Sequence, residues 1–482
     1  MIYTSSIMNE TANQLLSRVV PDCAWIPPRQ RASSIPAYPL FPEVVRQWRF
    51  FFRSVNRHIN NANNIPGGQF PVFATEAVSL SVEDDAKYRL HYNVLVPVNA
   101  LLGTQGAVFR ATCIGLLGTP DFILCTNNST IAKMPVEMKT RHNLNLGDHD
   151  LWEIYRHADR APIMGTDPNF RFKKRILSQV FGEMACNGFH YGILSNYTDT
   201  YFLQRLETEP KNLYVSHVVH PNSVNPTLRE CFQYISYLAI NDQVGRRLSR
   251  VLEDLNSSND DSSDDDDADD SNNSSDDDYV PSDNDDSDND YSSKKRKSSS
   301  KQIGSRKRVA STASSSKGIT TIGEYIGGGT FGNVFSGYYD NQAVAWKTCD
   351  TYKKKEEMKT LKHEAHVYSI LRECQGHAIP RLHYKGYVYG GFLFALALQL
   401  IEGAHHVNPK RLTKEEKKLI VNQLKLIHNC GVLHNDISEQ NILYEPKSRH
   451  YFFIDFGLSE IVGSESPKLR LEERRLKRFL QL

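Results

Sequence analysis

The chain has 482 residues, with 40% hydrophobic and 10% aromatic residues, which excludes a single ordinary domain and suits two or three domains that each bury a core. The net charge of +1 does not show that the charges are unevenly distributed along the chain: residues 251–290 hold 18 of the 56 acidic residues and no Lys or Arg. The remaining 38 acidic residues face 57 basic ones, which is typical of a phosphate-binding protein, although a well-solvated surface has the same average.

Cysteine usage and hydropathy exclude several other classes. The eight cysteines contain no CxxC pair, and close Cys–His neighbours, such as Cys186 with His190, lack the second pair that a zinc site needs. The first residues do not have the pattern of a signal peptide, and the longest apolar run, residues 392–401, is too short to span a bilayer. We therefore expect an intracellular protein with free thiols and no membrane partner.

Composition divides the chain into four segments and predicts an α+β multidomain protein. Residues 1–41, rich in Pro and Arg, are predicted to be an arm. Residues 42–250 alternate strand-like and helix-like segments and are predicted to form a first αβ domain. Residues 251–318 are mostly Ser, Asp and Asn, cannot form a core, and are predicted to be a disordered linker. Residues 319–482 are predicted to form the second domain.

Two strand-like runs in the first domain, GLLGTPDFILC and AKMPVEMKT, flank the turn sequence TNNST. An antiparallel hairpin centred near Ser129 pairs positions whose numbers add up to about 258, which sets Asp121 opposite Glu137. Lys139 follows Glu137 by two residues, so strand periodicity places it on the same face. Two carboxylates and an ammonium on one face are costly unless a cation lies there. The alternative is a surface hairpin with an Asp–Lys ion pair.

A helix and two strands are predicted after this hairpin. The helix covers about residues 172–187 and places Gln179 and Glu183 on one face, four residues apart. The strand-like runs HYGILSN and TYFLQRL follow it. A third carboxylate stays open between Glu43, on the predicted helix EVVRQWRFFFRSV, and Glu76.

The order strand, helix, strand with the motif Pro120-Asp121 … Glu137-Met138-Lys139 resembles the PD-(D/E)XK restriction-endonuclease superfamily. This resemblance implies that Asp121 and Glu137 hold Mg²⁺ and that Lys139 orients the water that attacks a DNA phosphodiester. A nuclease fold that binds DNA without cutting it remains an alternative.

The second domain opens with IGGGTFGNV, in which Gly327, Gly329, Gly332 and Val334 have the spacing G-x-G-x-x-G-x-V. Glycines allow a backbone to approach phosphates closely with its amides free to donate. Strand-like runs on both sides predict a hairpin that covers a nucleotide, not the strand-to-helix turn of a dinucleotide site.

Three further motifs follow in order. Lys347 ends the apolar strand AVAWK, and Glu364 lies in the predicted helix LKHEAHVYSIL, where it can pair with that lysine. HNDISEQN places Asp436 and Asn441 five residues apart, after a helix that begins with the capping box TKEE. FIDFG places Asp455 after an apolar strand.

This set resembles the eukaryotic protein-kinase family over roughly residues 319–460. The resemblance implies Mg²⁺ and ATP as cofactors, with these roles: Lys347 on the α- and β-phosphates, Glu364 bracing it, Asp436 accepting the hydroxyl proton, and Asn441 and Asp455 on the metal.

Two departures from the kinase pattern bear on activity. Ser438 stands where the family usually carries a Lys that steadies the transferred phosphate. Only 25 residues follow Gly457, without an A-P-E motif, and PKLRLEERRLKRFLQL is predicted to form one basic amphipathic helix. We therefore expect ATP binding and a truncated kinase-like domain that lacks the family's peptide-docking platform, with the protein substrate unknown.

The linker carries two basic clusters, KKRK at residues 294–297 and RKR at residues 306–308. Their spacing resembles a bipartite nuclear import signal, which an import receptor would read, although the clusters could simply neutralise the acidic run. The acidic run could instead cover a basic nucleic-acid groove.

The whole arrangement resembles the Crinkler-type proteins of fungi and oomycetes, some of which join a restriction-endonuclease-like domain to a kinase-like domain. The resemblance implies a nuclear protein that combines ATP-dependent phosphotransfer with Mg²⁺-dependent DNA cleavage, and leaves open secretion into a host cell first. ATP could also act as a switch. The rival hypothesis is a non-catalytic scaffold that binds ATP and DNA through two degenerate sites.

Overall fold

The computed structural model describes most of both predicted domains. The described residues are 9–26, 42–126, 130–144, 146, 150–157, 170–242, 250–251, 318–329 and 332–482. Nearly all of the predicted acidic linker, with its two basic clusters, lies outside them. Within the described residues no helix combines the length and the apolar character needed to cross a bilayer.

The N-terminal part, residues 9–242, is built around a seven-stranded mixed sheet with the strand order β2-β9-β8-β7-β6-β5-β4. A separate two-stranded ladder joins β1 to β3. The strands are β1 (Asn9–Thr11), β2 (Val44–Gln47), β3 (Gln69–Pro71), β4 (Ala107–Arg110), β5 (Phe122–Thr126), β6 (Ile131–Met138), β7 (Tyr191–Ser195), β8 (Thr200–Leu206) and β9 (Glu209–Val215).

Helices cover both faces of this sheet. One face packs against α2, α3, α4 and α8 through Phe51, Leu90 and Phe232, and the other against α6 and α7 through Trp152 and Phe181. Because both faces are covered, the central strands are apolar on both sides. The helices are α1 (Ala12–Ser17), α2 (Phe51–Ile59), α3 (Glu83–Leu90), α4 (Val96–Leu102), α5 (Arg141–Leu144), α6 (Leu151–His157), α7 (Phe170–Cys186) and α8 (Leu228–Asn241).

The hairpin of β5 and β6 has the predicted register where it matters for the site. Phe122 pairs with Val136 and Ile123 with Pro135, so the pair numbers add up to 258. A register irregularity follows Leu124, closer to the turn.

Two predictions for the start of the chain were wrong. Residues 9–26, predicted to belong to an arm, supply β1 and α1, and Leu15 and Leu16 are fully buried against the N-terminal part. The run EVVRQWRFFFRSV, predicted as one helix, is divided between β2 and α2, because its first residues pair with β9 as an edge strand.

The C-terminal part, residues 318–482, supplies five strands of a six-stranded sheet with the order β10-β11-β12-β13-β15-β14, and residues 250–251 supply the edge strand β10. Short ladders and two long helices follow this sheet. The strands are β10 (Arg250–Val251), β11 (Thr321–Gly329), β12 (Gly332–Tyr339), β13 (Gln342–Asp350), β14 (Leu382–Val388), β15 (Leu393–Gln399), β16 (His405–His406), β17 (Val432–Leu433), β18 (Ile442–Glu445), β19 (His450–Phe453) and β20 (Glu460–Ile461). The helices are α9 (Lys355–Ile370), α10 (Lys414–Asn429) and α11 (Pro467–Phe479).

The helices of the C-terminal part begin and end where local signals predict. Thr413 and Glu416 form the predicted capping box at the start of α10, and Gly431, just after its end, has the left-handed φ of +74°. The predicted tail helix is α11, which packs against α10 and buries Leu476 in the same apolar core as Leu424.

The two parts pack together around Phe392, so they form one compact unit. Its ring, in the turn between β14 and β15, is fully buried against Gly118 and Gly182 of the N-terminal part. A Cβ added at Gly182 would lie 2.8 Å from the ring, and one at Gly118 would lie 2.5 Å away. Beside this contact, the hydroxyl groups of Ser178 and Tyr352 are hydrogen-bonded at 2.8 Å.

The contact between Gly182 and Phe392 predicts that Gly182→Ala destabilises the protein, although alanine normally stabilises a helix relative to glycine. Gly182→Ala in α7 would normally stabilise a helix by up to about 1 kcal/mol, but here the new methyl group meets Phe392 and should destabilise by about 1–2 kcal/mol. In a Phe392→Ala background, itself destabilised by about 3–5 kcal/mol, the same change should become stabilising. Urea unfolding of the four proteins measures this coupling. An equal effect of Gly182→Ala in both backgrounds would show that the two parts do not meet at this point.

Candidate active sites

Lys347, Glu364 and Asp455, which are far apart in the sequence, meet in the C-terminal part and are called the lysine cluster below. The Lys347 Nζ atom donates to Glu364 Oε2 at 2.6 Å and to Asp455 Oδ1 at 2.8 Å. Strand β13 supplies the lysine, α9 supplies the glutamate, and the segment after β19 supplies the aspartate. Burial lowers the pKa of Lys347, but the two carboxylates raise it by more, so the pKa lies above its ordinary value and the group stays charged.

The glycine-rich hairpin lies directly beside this lysine. β11 and β12 pair antiparallel, and Val334 of β12 pairs in turn with Lys347 of β13. Gly332 has a φ of +146°, and a Cβ there would lie 2.6 Å from the Thr348 carbonyl oxygen, so only glycine fits. The predicted hairpin is confirmed, and it contains all four motif residues, Gly327, Gly329, Gly332 and Val334.

The loop after β17 holds Asp436 and Asn441 together. The Asn441 side-chain amide donates to the Asp436 backbone carbonyl at 2.9 Å and to its Oδ2 at 2.8 Å. His434 is fully buried and its Nε2 lies 3.0 Å from the carbonyl oxygen of Ile454, next to Asp455. This contact ties the Asp436 loop to the Asp455 segment.

Asp455 has a left-handed backbone, with a φ of +63°, which is costly for a non-glycine residue and is concentrated at functional sites. The next residue, Phe456, holds this turn in place because its ring is fully buried between Tyr368 of α9 and His434. Asp436 and Asp455 both remain partly exposed, whereas Lys347 is buried. The two carboxylates are therefore accessible to solvent on a backbone that is held in place, as ligands for a metal ion must be.

A second cluster lies in the N-terminal part around Asp121 and Glu137, which are called the carboxylate pair below. Glu137 is fully buried, and its Oε1 accepts a hydrogen bond from Lys139 Nζ at 2.5 Å. The same ammonium donates to Gln179 Oε1 of α7 at 2.8 Å, and Asp121 Oδ2 accepts the Met138 backbone amide at 2.7 Å. The hairpin and the helix thus bring together the four side chains singled out by the sequence.

Two lysines that the sequence analysis did not single out complete the charge balance of this cluster. Lys87 Nζ of α3 lies 2.9 Å from Asp121 Oδ1, and Lys353 Nζ of the C-terminal part lies 3.0 Å from the same oxygen. Lys353 also lies 2.9 Å from Glu137 Oε2. Both lysines belong to segments remote from the hairpin, so strand periodicity carried no signal for them.

Burial and charge act in opposite directions on the carboxylate pair. Burial, helped by the charge of Asp121, raises the pKa of Glu137 to about 7, although Lys139 and Lys353 lower it. Burial also raises the pKa of Asp121, but the nearby ammonium groups outweigh it and the pKa lies below its ordinary value. The pair therefore depends on the surrounding cations to stay charged.

The structure bears on the open question of a third carboxylate. Glu43 is exposed in an ion pair with Lys211, and Glu76 pairs with Arg89, so neither joins the carboxylate pair. Glu183 of α7 is fully buried, and neither of its carboxylate oxygens has a hydrogen-bond partner among the described residues. In the described part of the chain, no three His, Cys, Asp or Glu side chains are arranged to hold a metal ion.

Comparison with known proteins identifies the C-terminal part. Residues 320–475 match the family model described as protein kinase domain. This stretch is a protein kinase domain. The lysine cluster, the glycine-rich hairpin and the Asp436 loop all lie within the matched residues.

Two curated relatives align with the kinase domain. The chain is 32% identical over 149 residues to "Probable casein kinase I homolog" of Encephalitozoon cuniculi, which is 29% of this chain and 45% of that protein. It is 27% identical over 168 residues to "Probable serine/threonine-protein kinase 2" of Plasmodium falciparum, which is 32% of this chain and 31% of that protein. The chain therefore spans less than half the length of either relative.

Glu472 of α11, a residue that the sequence analysis did not recognise, holds the loop that carries Asp436. Glu472 Oε2 accepts the His434 backbone amide at 3.0 Å, and Oε1 accepts the Asn435 amide at 2.6 Å. The His428 ring of α10 lies 2.8 Å from Oε2. The tail helix is thus a support for the loop that carries Asp436. The charge pattern of the tail predicted an amphipathic helix but gave no sign of this long-range contact.

The contacts of Glu472 predict a stability effect with a defined pH dependence. Burial raises the pKa of Glu472, but the hydrogen bonds from His428 and the two amides lower it by more, so it lies below its ordinary value. Such a group contributes stability above its unfolded pKa, near 4.3, and the contribution is lost as the pH falls through the folded pKa. Glu472→Gln should therefore cost about 1–3 kcal/mol at pH 7, constant down to about pH 4.5 and smaller below it.

Glu473→Gln is the matched control, because Glu473 is the next residue of α11 and pairs with Lys477 towards the surface. Chemical unfolding of the three proteins from pH 7 to pH 4 measures the difference. A Glu472→Gln effect no larger than that of Glu473→Gln would contradict the assigned role.

Proposed function

We propose that the chain is an ATP- and Mg²⁺-dependent phosphotransferase of the protein-kinase type. The observation that carries this proposal is the lysine cluster, in which the Lys347 ammonium contacts Glu364 at 2.6 Å and Asp455 at 2.8 Å. A kinase domain needs its strand lysine paired with its helix glutamate before phosphate can be held productively. The match to the protein kinase domain supports the use of ATP and Mg²⁺.

The proposed roles follow from the positions of the side chains. Lys347, buried and charged, would hold the α- and β-phosphates, with the glycine-rich hairpin above them. Asn441 and Asp455 would hold Mg²⁺, which shields the phosphate charge when bound. Asp436 would accept the proton of the attacking hydroxyl, and its bond to Asn441 fixes its orientation. The relative named as a serine/threonine kinase favours a hydroxyl acceptor on a protein.

Loss of the proposed base tests this assignment. Asp436→Asn should lower transfer of label from γ-labelled ATP to casein or to the chain itself by at least about 100-fold, because general-base catalysis contributes about that much. Glu439→Gln, an exposed position in the same loop, is the control and should leave transfer unchanged. Transfer that Asp436→Asn retains would contradict the role. Nucleotide binding without any transfer by the unaltered chain would instead favour the scaffold hypothesis.

We propose a second function for the N-terminal part, hydrolysis of a DNA phosphodiester at the carboxylate pair. Four side chains support it: Asp121 and Glu137 as metal ligands, Lys139 as the group that orients the attacking water, and Gln179 as its support. A divalent cation, when bound, would lower the pKa of a water and neutralise charge on the phosphate. The resemblances to PD-(D/E)XK nucleases and to Crinkler-type proteins favour this reaction.

Action in the nucleus is part of the same proposal. It rests on the basic clusters at residues 294–297 and 306–308, which resemble an import signal, and on DNA as the substrate. The surplus of basic residues outside the acidic run favours a polyanionic partner.

Plasmid nicking tests the nuclease proposal. In excess Mg²⁺ the full chain should convert supercoiled DNA to the open circle, and Glu137→Gln should slow this at least about 100-fold, because it removes a charged metal ligand. Glu207→Gln, at an exposed position after β8, is the control. Nicking that Glu137→Gln leaves intact would defeat the assignment. Retarded migration of DNA without nicking would leave a DNA-binding role alone.

A further inference from the structure

Lys353 reaches from the kinase domain into the carboxylate pair of the N-terminal part. It belongs to the short segment between β13 and α9, which joins the strand of Lys347 to the helix of Glu364. Its ammonium donates to Asp121 Oδ1 at 3.0 Å and to Glu137 Oε2 at 2.9 Å. A single cationic group therefore bridges both carboxylates.

The segment that carries Lys353 is fixed at its base. Asp350 Oδ1 accepts the backbone amides of Tyr352 at 2.8 Å and Lys353 at 3.1 Å. Its Oδ2 accepts the Thr119 amide of the N-terminal part at 2.9 Å. Asp350 thus attaches the segment to the residues that precede Asp121. The backbone at Lys353 is therefore held in place beside the carboxylate pair.

The position of the Lys353 ammonium is the one that a divalent cation would need. A cation shared by Asp121 and Glu137 requires one oxygen from each, at about 2.0–2.6 Å for Mg²⁺ or Ca²⁺. The other two oxygens are engaged by the Met138 amide and by Lys139. The oxygens left to be bridged are Asp121 Oδ1, which Lys87 also contacts at 2.9 Å, and Glu137 Oε2. Lys353 donates to both of them, so its ammonium and a metal ion cannot occupy the pair together.

Glu183 is a second, independent indication that a divalent cation fits at the carboxylate pair. Its carboxyl group is fully buried with both oxygens lacking a hydrogen-bond partner in the described structure. Burial and the charge of Glu137 raise its pKa well above the ordinary value, and Lys353 only partly compensates. Lys353 donates to Asp121 and Glu137 but leaves Glu183 without a hydrogen bond, and a divalent cation at the carboxylate pair would bring a second positive charge close to it.

We propose that Lys353 is a built-in cation that closes the metal site, and that a divalent ion binds the carboxylate pair only when Lys353 withdraws. This inference rests on the proposed metal site of the N-terminal part and adds its regulation by the kinase domain. In the inserted position, the Lys353 ammonium of the kinase domain occupies the place that the metal ion would take. The apparent metal affinity is reduced by the fraction of molecules in which Lys353 is inserted.

Mn²⁺ binding to the full chain without nucleotide, followed by calorimetry and by electron paramagnetic resonance, tests the inference. Lys353→Met should bind Mn²⁺ at a new or strengthened site, with an affinity at least roughly tenfold above that of the unaltered chain. Lys354→Met is the matched control, because Lys354 is the next residue and pairs with Glu357 outside the carboxylate pair. The double variant Lys353→Met/Glu137→Gln identifies the site, and any Mn²⁺ held at Asp455 persists in it.

The outcomes separate this inference from the proposed metal site. A gain in Lys353→Met that disappears in the double variant supports both. Mn²⁺ binding that depends on Glu137 but is equally tight with and without Lys353 would contradict the closing of the site by Lys353 and would still support the metal site. If no Mn²⁺ binding depends on Glu137, the proposed metal site is wrong, and so is its closing by Lys353. Should Lys353→Met not fold, Lys353→Gln carries the same test, because its amide is polar but uncharged.

Discussion

Buried carboxylates that need a cation are the constraint on which both sites depend. Two lysines six residues apart meet that need in two different parts of the molecule. Lys347, within β13, neutralises Glu364 and Asp455 in the kinase domain, and Lys353, just after the strand, neutralises Asp121 and Glu137 in the N-terminal part. Removing Lys347 would take away the ammonium that contacts both Glu364 and Asp455, which is costly for the buried glutamate, whereas Lys87 and Lys139 would still contact Asp121 and Glu137 after removal of Lys353. One strand with the segment that follows it therefore couples the stability of the two sites.

This coupling makes the junction between the two parts a functional surface. Phe392 fills the space left by Gly118 and Gly182, and Asp350 links the Lys353 segment to Thr119. The junction is apolar around Phe392 and ionic around Lys353. Such an arrangement positions Lys353 to within hydrogen-bonding distance, which a flexible tether could not do. The kinase domain and the N-terminal part are thus joined by direct side-chain contacts, and Lys353 extends from one into the other.

The sequence motifs and the position of one turn were sufficient to predict which residues meet at the two sites. The resemblance to protein kinases implies that Lys347, Glu364 and Asp455 share one site, so their meeting could be expected before any fold was known. The register of β5 and β6 followed from the position of the turn, which is why Asp121 and Glu137 were predicted to face each other. Their roles in metal binding stay predictions.

What the sequence could not supply were contacts between distant segments. Lys353 lies in the run KKK, which by composition is a solvated stretch, and nothing local distinguishes it from Lys354. Glu472 lies among basic residues of a helix whose partner is 38 residues away at His434. The run from Glu43 was misread as a helix because the edge position beside β9 decides its conformation, and pairing of that kind is not encoded in periodicity.

The most direct measurement of the central claim is a crystal structure of the full chain with a non-hydrolysable ATP analogue and Mn²⁺, with the metal located by its anomalous scattering. We expect Mn²⁺ at Asp455 and Asn441, and none between Asp121 and Glu137 while Lys353 bridges them. A metal ion bound between Asp121 and Glu137 with Lys353 still within hydrogen-bonding distance of both would contradict this expectation.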